Sequence, residues 1–108
     1  MPGKPLSNYL RTFRKRSGLS QDEVAFLMGV MSGAEVSRHE TFSRVPTLKT
    51  ALSYEAIFGV PVRELFAGEF EKVEAEIKAR AQELARRALE PGLKGKSKRS
   101  VIARILGW

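Results

Sequence analysis

The sequence predicts an all-α protein, and three observations carry that prediction. Apolar side chains recur at spacings of three and four, and no stretch sustains the two-residue alternation of a strand. Serine or threonine caps stand ahead of several of these runs, with glycines behind them. Past residue 68 the chain turns to Glu, Ala, Lys, Arg and Gln, all strong helix formers.

Each element follows from these signals in order. Leu6, Tyr9, Leu10 and Phe13 share one face, and Gly18 stops them, so a first helix is expected over Leu6–Ser17. Ser20 heads Ser-Gln-Asp-Glu, a capping box in which the hydroxyl and Glu23 satisfy each other's backbone donors. Val24, Ala25, Leu27 and Met28 form the buried side of that second helix, and Gly29 ends it. Ser32 with Glu35 makes a second capping box, opening a third helix near Gly33 that carries Val36 inward and ends around Thr41. Thr47, after Pro46, caps a fourth helix whose apolar residues are Leu48, Ala51, Leu52, Ile57 and Phe58, closed by Gly59. Pro61 suits the first turn of a short fifth helix over Val62–Phe66. Phe70, Val73, Ile77, Ala81, Leu84 and Ala88 then mark one apolar stripe on a long amphipathic helix, 69–90, which would be about 33 Å long. Pro91-Gly92 ends it. LKGKSKR is expected as a flexible basic stretch, and SVIARILGW as an apolar piece of one or two helical turns. The organisation is thus a helical domain at 1–68, an amphipathic helix at 69–90, and a basic tail with an apolar end at 91–108.

The net charge is +7 over 108 residues, with a pI near 10.1. The excess sits at the two ends: residues 1–20 and 91–108 each carry five basic and no acidic side chains, and the middle is slightly acidic. That distribution points to a polyanionic partner. The absence of cysteine fits a reducing compartment and removes disulfides and thiolate metal sites. No signal-peptide pattern and no long apolar run appear, so the expected location is the cytoplasm. One histidine, one aspartate (Asp22), no glycine-rich phosphate loop and no cluster at metal spacing leave no basis for an enzyme, a metal or a cofactor.

The order helix, turn, helix, with a preceding helix laid over the pair and a fourth supporting it, resembles the helix-turn-helix domain of phage repressor and Cro-like proteins. The residues that carry the resemblance are Phe13-Arg14, Gly18-Leu19-Ser20-Gln21, Val24-Ala25, Gly29-Val30, Ser32, Val36-Ser37-Arg38 and Glu40. It covers Leu6–Phe66 and implies a five-helix repressor-like domain followed by the long amphipathic helix. It implies a DNA-binding transcriptional regulator whose third helix enters the major groove of operator DNA. By position, Gln21 would touch backbone phosphate and brace the reading helix. Gly33, Ala34, Ser37 and Arg38 would face the groove, Ser32 at the cap would also bind DNA, and Ser43, Arg44 and Lys49 would meet phosphates. Arg14 and Glu40 would form the ion pair that ties helix one to the end of helix three.

The departures shift the readout. Met31 adds one residue to the turn. Gly33 and Ala34 stand where the family often has polar readers, and neither makes a bidentate base contact, so direct readout rests on Arg38 and an alanine–thymine methyl contact. His39 takes an apolar position and is expected as a packing residue. Dimers place two reading helices about 34 Å apart, and the Phe70–Ala88 stripe is the expected homodimer seam. The alternative is an antitoxin or adaptor that holds another protein through the C-terminal helix. A membrane-surface role is disfavoured, because that helix's polar face carries both signs of charge.

Overall fold

The computed structural model describes residues 5–87 and 92–108. Among these, seven helices and no strand occur: α1 (Leu10–Arg16), α2 (Gln21–Met28), α3 (Gly33–Glu40), α4 (Leu48–Phe58), α5 (Val62–Leu65), α6 (Ala67–Arg86) and α7 (Gly92–Leu106). The chain divides into two compact units, Met1–Phe70 and Glu71–Trp108. No helix among the described residues is long and apolar enough to cross a membrane.

The core of the first unit is Leu10, Val24, Ala25, Val36, Tyr54 and Leu65, with Phe13, Ile57, Phe58 and Phe66 packed around it. One residue or more from each of α1 to α5 enters this cluster, so none of these short helices stands without the others. Ala25 is almost fully buried, where α2 and α3 make the most extensive helix contact of the unit. Tyr54 was not among the expected core residues. Its ring lies parallel to that of Phe58, with centroids 6.1 Å apart. Leu48 and Leu52 are exposed instead. Apolar residues lie on several sides of α4, and the side that meets α1 and α2 carries Tyr54.

Helix α1 starts four residues later than the expected Leu6, because the preceding backbone has other partners. The Tyr9 amide donates to the Leu65 carbonyl at 2.7 Å, and the Leu6 carbonyl accepts from the Gly68 amide at 2.8 Å. A Cβ on Gly68 would collide with that carbonyl. Asn8 is buried at the joint. Its Oδ1 accepts from the Leu10 amide at 3.1 Å, and its Nδ2 donates to the His39 carbonyl at 2.9 Å.

In the second unit, residues 92–106 form a continuous helix where a flexible stretch and a turn or two were expected. Ile102 on α7 and Ala81 on α6 are both buried. They floor an apolar groove of about 460 Å³, lined also by Ile77, Leu84, Val101 and Ile105. Burial of Ala81 and Ile102 along this groove favours the helix over residues 92–106, against the weak propensity of Gly92 and Gly95. Trp108 is largely exposed. Ala88, Pro91 and the side chain of Lys94 lie outside the described residues.

Candidate nucleic-acid interface

Three local features shape the two helices of the motif. Ser20 Oγ accepts from the Glu23 amide at 3.0 Å, and Glu23 Oε1 accepts from the Ser20 amide at 2.8 Å. That is the complete capping box. Gly29 takes φ +74°, the left-handed conformation that turns the chain out of α2. Asp22 Oδ1 then accepts from the Gly33 amide at 2.9 Å, pinning the start of α3 to the start of α2. Ser32 caps α3 through the Ala34 amide at 3.3 Å, in place of the reciprocal pairing with Glu35. Met31, the extra turn residue, is almost wholly exposed.

Gly33 does not face outward, which corrects its assignment to the groove. It is buried, and a Cβ there would lie 2.6 Å from Asp22 Oδ1 and 2.9 Å from Gln21 Cβ. Glycine is needed for the close approach of two helix ends, so a residue that looks like a lost reader is a packing residue. Positions 34–41 follow the helical period. Val36, His39 and Glu40 are buried, Ala34, Arg38 and the C-cap Thr41 are exposed, and Glu35 and Ser37 are half-buried. Residues 34, 37, 38 and 41 thus form one outward stripe.

An ionic network supports that stripe from behind. Arg14 Nε lies 2.5 Å from Glu40 Oε2, and Arg14 Nη2 donates to Glu40 Oε1 at 3.2 Å. Arg14 Nη1 donates to the Leu19 carbonyl at 3.0 Å. Gln21 Nε2 donates to Glu40 Oε1 at 3.1 Å. The Glu40 side chain is 2% exposed, and its bonds to Arg14 push the guanidinium above its ordinary pKa. The network joins α1, α2 and α3 and fixes Gln21 at the rim of a polar cleft. Arg11, Ser20, Ser37 and Thr41 also line this cleft. Arg11 and Thr41 were missed because neither forms part of a short sequence signature.

Beyond α3 the chain makes a tight reversal. The Phe42 amide donates to the His39 carbonyl at 3.2 Å, and the Ser43 and Arg44 amides both donate to the Arg38 carbonyl, at 3.0 and 3.2 Å. Ser43, Arg44 and Lys49 follow, all exposed. Lys49 lies in the first turn of α4, which Thr47 caps through the Thr50 amide at 3.3 Å. On the inner side, His39 Nδ1 meets Tyr54 Oη at 2.8 Å, with the two rings edge to face. Burial lowers the His39 pKa and raises that of Tyr54. His39 is therefore a satisfied core residue. Among the described residues no three His, Asp or Glu side chains gather as a metal site.

The stripe expected to form a dimer seam is divided between different surroundings. Phe70 lies in the first unit, under the Arg63 guanidinium at 4.3 Å from its ring centre. Ala81 is buried, whereas Val73, Ile77 and Leu84 remain 52%, 44% and 41% exposed.

No curated protein and no solved structure matches this chain. The family model described as Helix-turn-helix matches residues 10–65, just over half of the chain and the segment that holds α1 to α5. With that match and this geometry, the chain belongs to the helix-turn-helix family, of the Cro and phage-repressor type, and is a DNA-binding transcription regulator.

Proposed function

We propose that this regulator binds a two-fold symmetric operator as a homodimer, with α3 of each copy in a major groove. The observation that carries the reading is the outward stripe of residues 34, 37, 38 and 41 on a helix whose back is tied down by Arg14, Glu40 and Gln21. Arg38 reads a guanine, Ala34 contacts a thymine methyl, and Ser37 bonds a base edge or phosphate. Ser32, Gln21, Arg44 and Lys49 grip backbone phosphates, joined by Arg11 in the polar cleft. With so few direct readers, the shape of the DNA supplies part of the specificity.

Dimerisation is supported by the groove between α6 and α7. A unit spanning Glu71–Trp108 falls below the ~40 residues at which a lone core is self-sufficient. Ile77, Leu84 and Val101 leave apolar surface in water. The α6 and α7 of a second copy would cover it, so that the expected homodimer seam becomes a bundle of four helices.

The test is a gel shift with duplexes selected from a random pool, at rising salt. Binding that falls steeply with salt is expected, because each phosphate contact releases counterions. Arg38→Ala should relax preference at one base pair per half-site by about 1–3 kcal/mol. Binding indifferent to salt, or an Arg38→Ala profile identical to wild type, would overturn the reading.

A further inference from the structure

We infer that Phe42 is a DNA-contacting residue, an apolar contact against thymine methyls and sugar faces at the edge of the groove that α3 reads. The inference rests on the DNA-binding reading of α3 and adds a residue outside that helix.

The first ground is conformational. The paired bonds from the Phe42 amide to the His39 carbonyl and from the Ser43 amide to the Arg38 carbonyl define a helix ending that requires a left-handed residue, ordinarily glycine. Phe42 occupies it at φ +66°. For a bulky side chain that conformation is a true outlier and costs folding free energy. The chain supplies glycine at each of its other positive-φ positions among the described residues: Gly18, Gly29, Gly59, Gly92 and Gly107. Phenylalanine is the single exception, and it stands at the end of the reading helix.

The second ground is exposure. Core packing does not account for the exception, because Phe42 remains 51% exposed. The third is location. Exposed Arg38 and Thr41 precede it, and exposed Ser43 and Arg44 follow. The Thr41 and Ser43 hydroxyls bond each other at 2.9 Å, which stiffens the reversal around the ring. Strain held in place by surrounding bonds at the rim of a binding surface is the pattern of a residue kept for contact. Phenylalanine beside a phosphate-gripping arginine suits the apolar rim of a major groove, where thymine methyls are exposed.

Phe42→Gly tests the inference, since glycine fits the backbone better than the native residue. The expected result is a melting temperature equal to or above wild type. Affinity for a duplex selected from a random pool should fall about tenfold, with an unchanged dependence on salt, because an apolar contact releases no counterion. Arg44→Ala in the same assay should instead reduce the salt slope by about one. Should Phe42→Gly express poorly, Phe42→Asn, which also tolerates the left-handed region, replaces it, and Phe42→Tyr should restore affinity. Unchanged affinity in Phe42→Gly overturns the inference and makes the ring a packing or protein-contact residue. A loss accompanied by a smaller salt slope overturns it too, because the loop itself would then have moved. A wild-type protein that binds no duplex even at low salt defeats the DNA-binding reading as well, an outcome distinct from either.

Discussion

His39 and Tyr54 show how one residue pair couples α3 to the core. The imidazole is buried, bonded to a buried phenol, and its backbone carbonyl is held by Asn8. Burial is the main cause of its lowered pKa. The Glu35 charge opposes that shift, and Arg44 and Arg38 add to it. A histidine whose folded pKa lies below its unfolded value near 6.5 contributes stability in full above that value, and loses it as pH falls through the folded pKa. Melting temperature should therefore drop on acidification from about pH 7.5 to pH 5. His39→Gln, which has no titrating group, should be less stable at neutral pH but should lose less on acidification. Calorimetric melts across that range check it, and parallel profiles for the two proteins would show that His39 does not drive the loss.

At the scale of elements, the turn from α2 into α3 depends on contacts too close for any other residue. Gly33→Ala places a methyl against Asp22 Oδ1, the Asp22 amide and Gln21 Cβ. Two of those three atoms belong to backbone or to a Cβ and cannot swing aside. A cost of about 1–3 kcal/mol is expected from such overpacking, with a further loss of DNA affinity as the start of α3 shifts. Gly29→Ala meets nothing within 4 Å but keeps a φ of +74°. It should cost about 1–2 kcal/mol from conformation alone and leave the position of α3 intact. Denaturant melts set beside DNA titrations separate the two. The same contrast explains what was legible in the sequence. Ser20, Glu23, Gly29, Thr47 and Gly59 announce themselves because a cap or a left-handed turn needs only its neighbours in the chain. Gly33 misleads because the atoms that exclude a side chain lie eleven and twelve positions back. Tyr54, Leu48 and Leu52 mislead because α4 offers apolar residues on several sides, and only its packing partners choose among them. Asn8 acts through the distant His39 carbonyl, which no local pattern foreshadows.

For the whole molecule, the ionic network and the α6–α7 groove carry different duties, and variants can separate them. Removing Arg14 leaves the Glu40 carboxylate buried with Gln21 as its remaining side-chain partner, so Arg14→Met should cost the first unit about 3 kcal/mol. For a domain of this size each kcal/mol lowers the melting temperature by about 4–8 °C. That loss belongs to folding and should appear at every protein concentration. Leu84→Glu and Val101→Glu act differently, because both residues are already over two-fifths exposed in the single chain. A carboxylate there is solvated in the monomer and meets a desolvated apolar floor if a second hairpin docks. Sedimentation should show wild type as a dimer and the variants shifted to monomer. Their DNA affinity should fall by orders of magnitude on a two-half-site duplex, since joining two sites raises avidity about 10²–10⁴-fold. On a single half-site, wild type and variants should bind alike. Variants that stay dimeric would move the seam away from α6 and α7. A monomeric wild type that co-purifies with a different protein, lost on Leu84→Glu, would make the groove a seat for that partner instead.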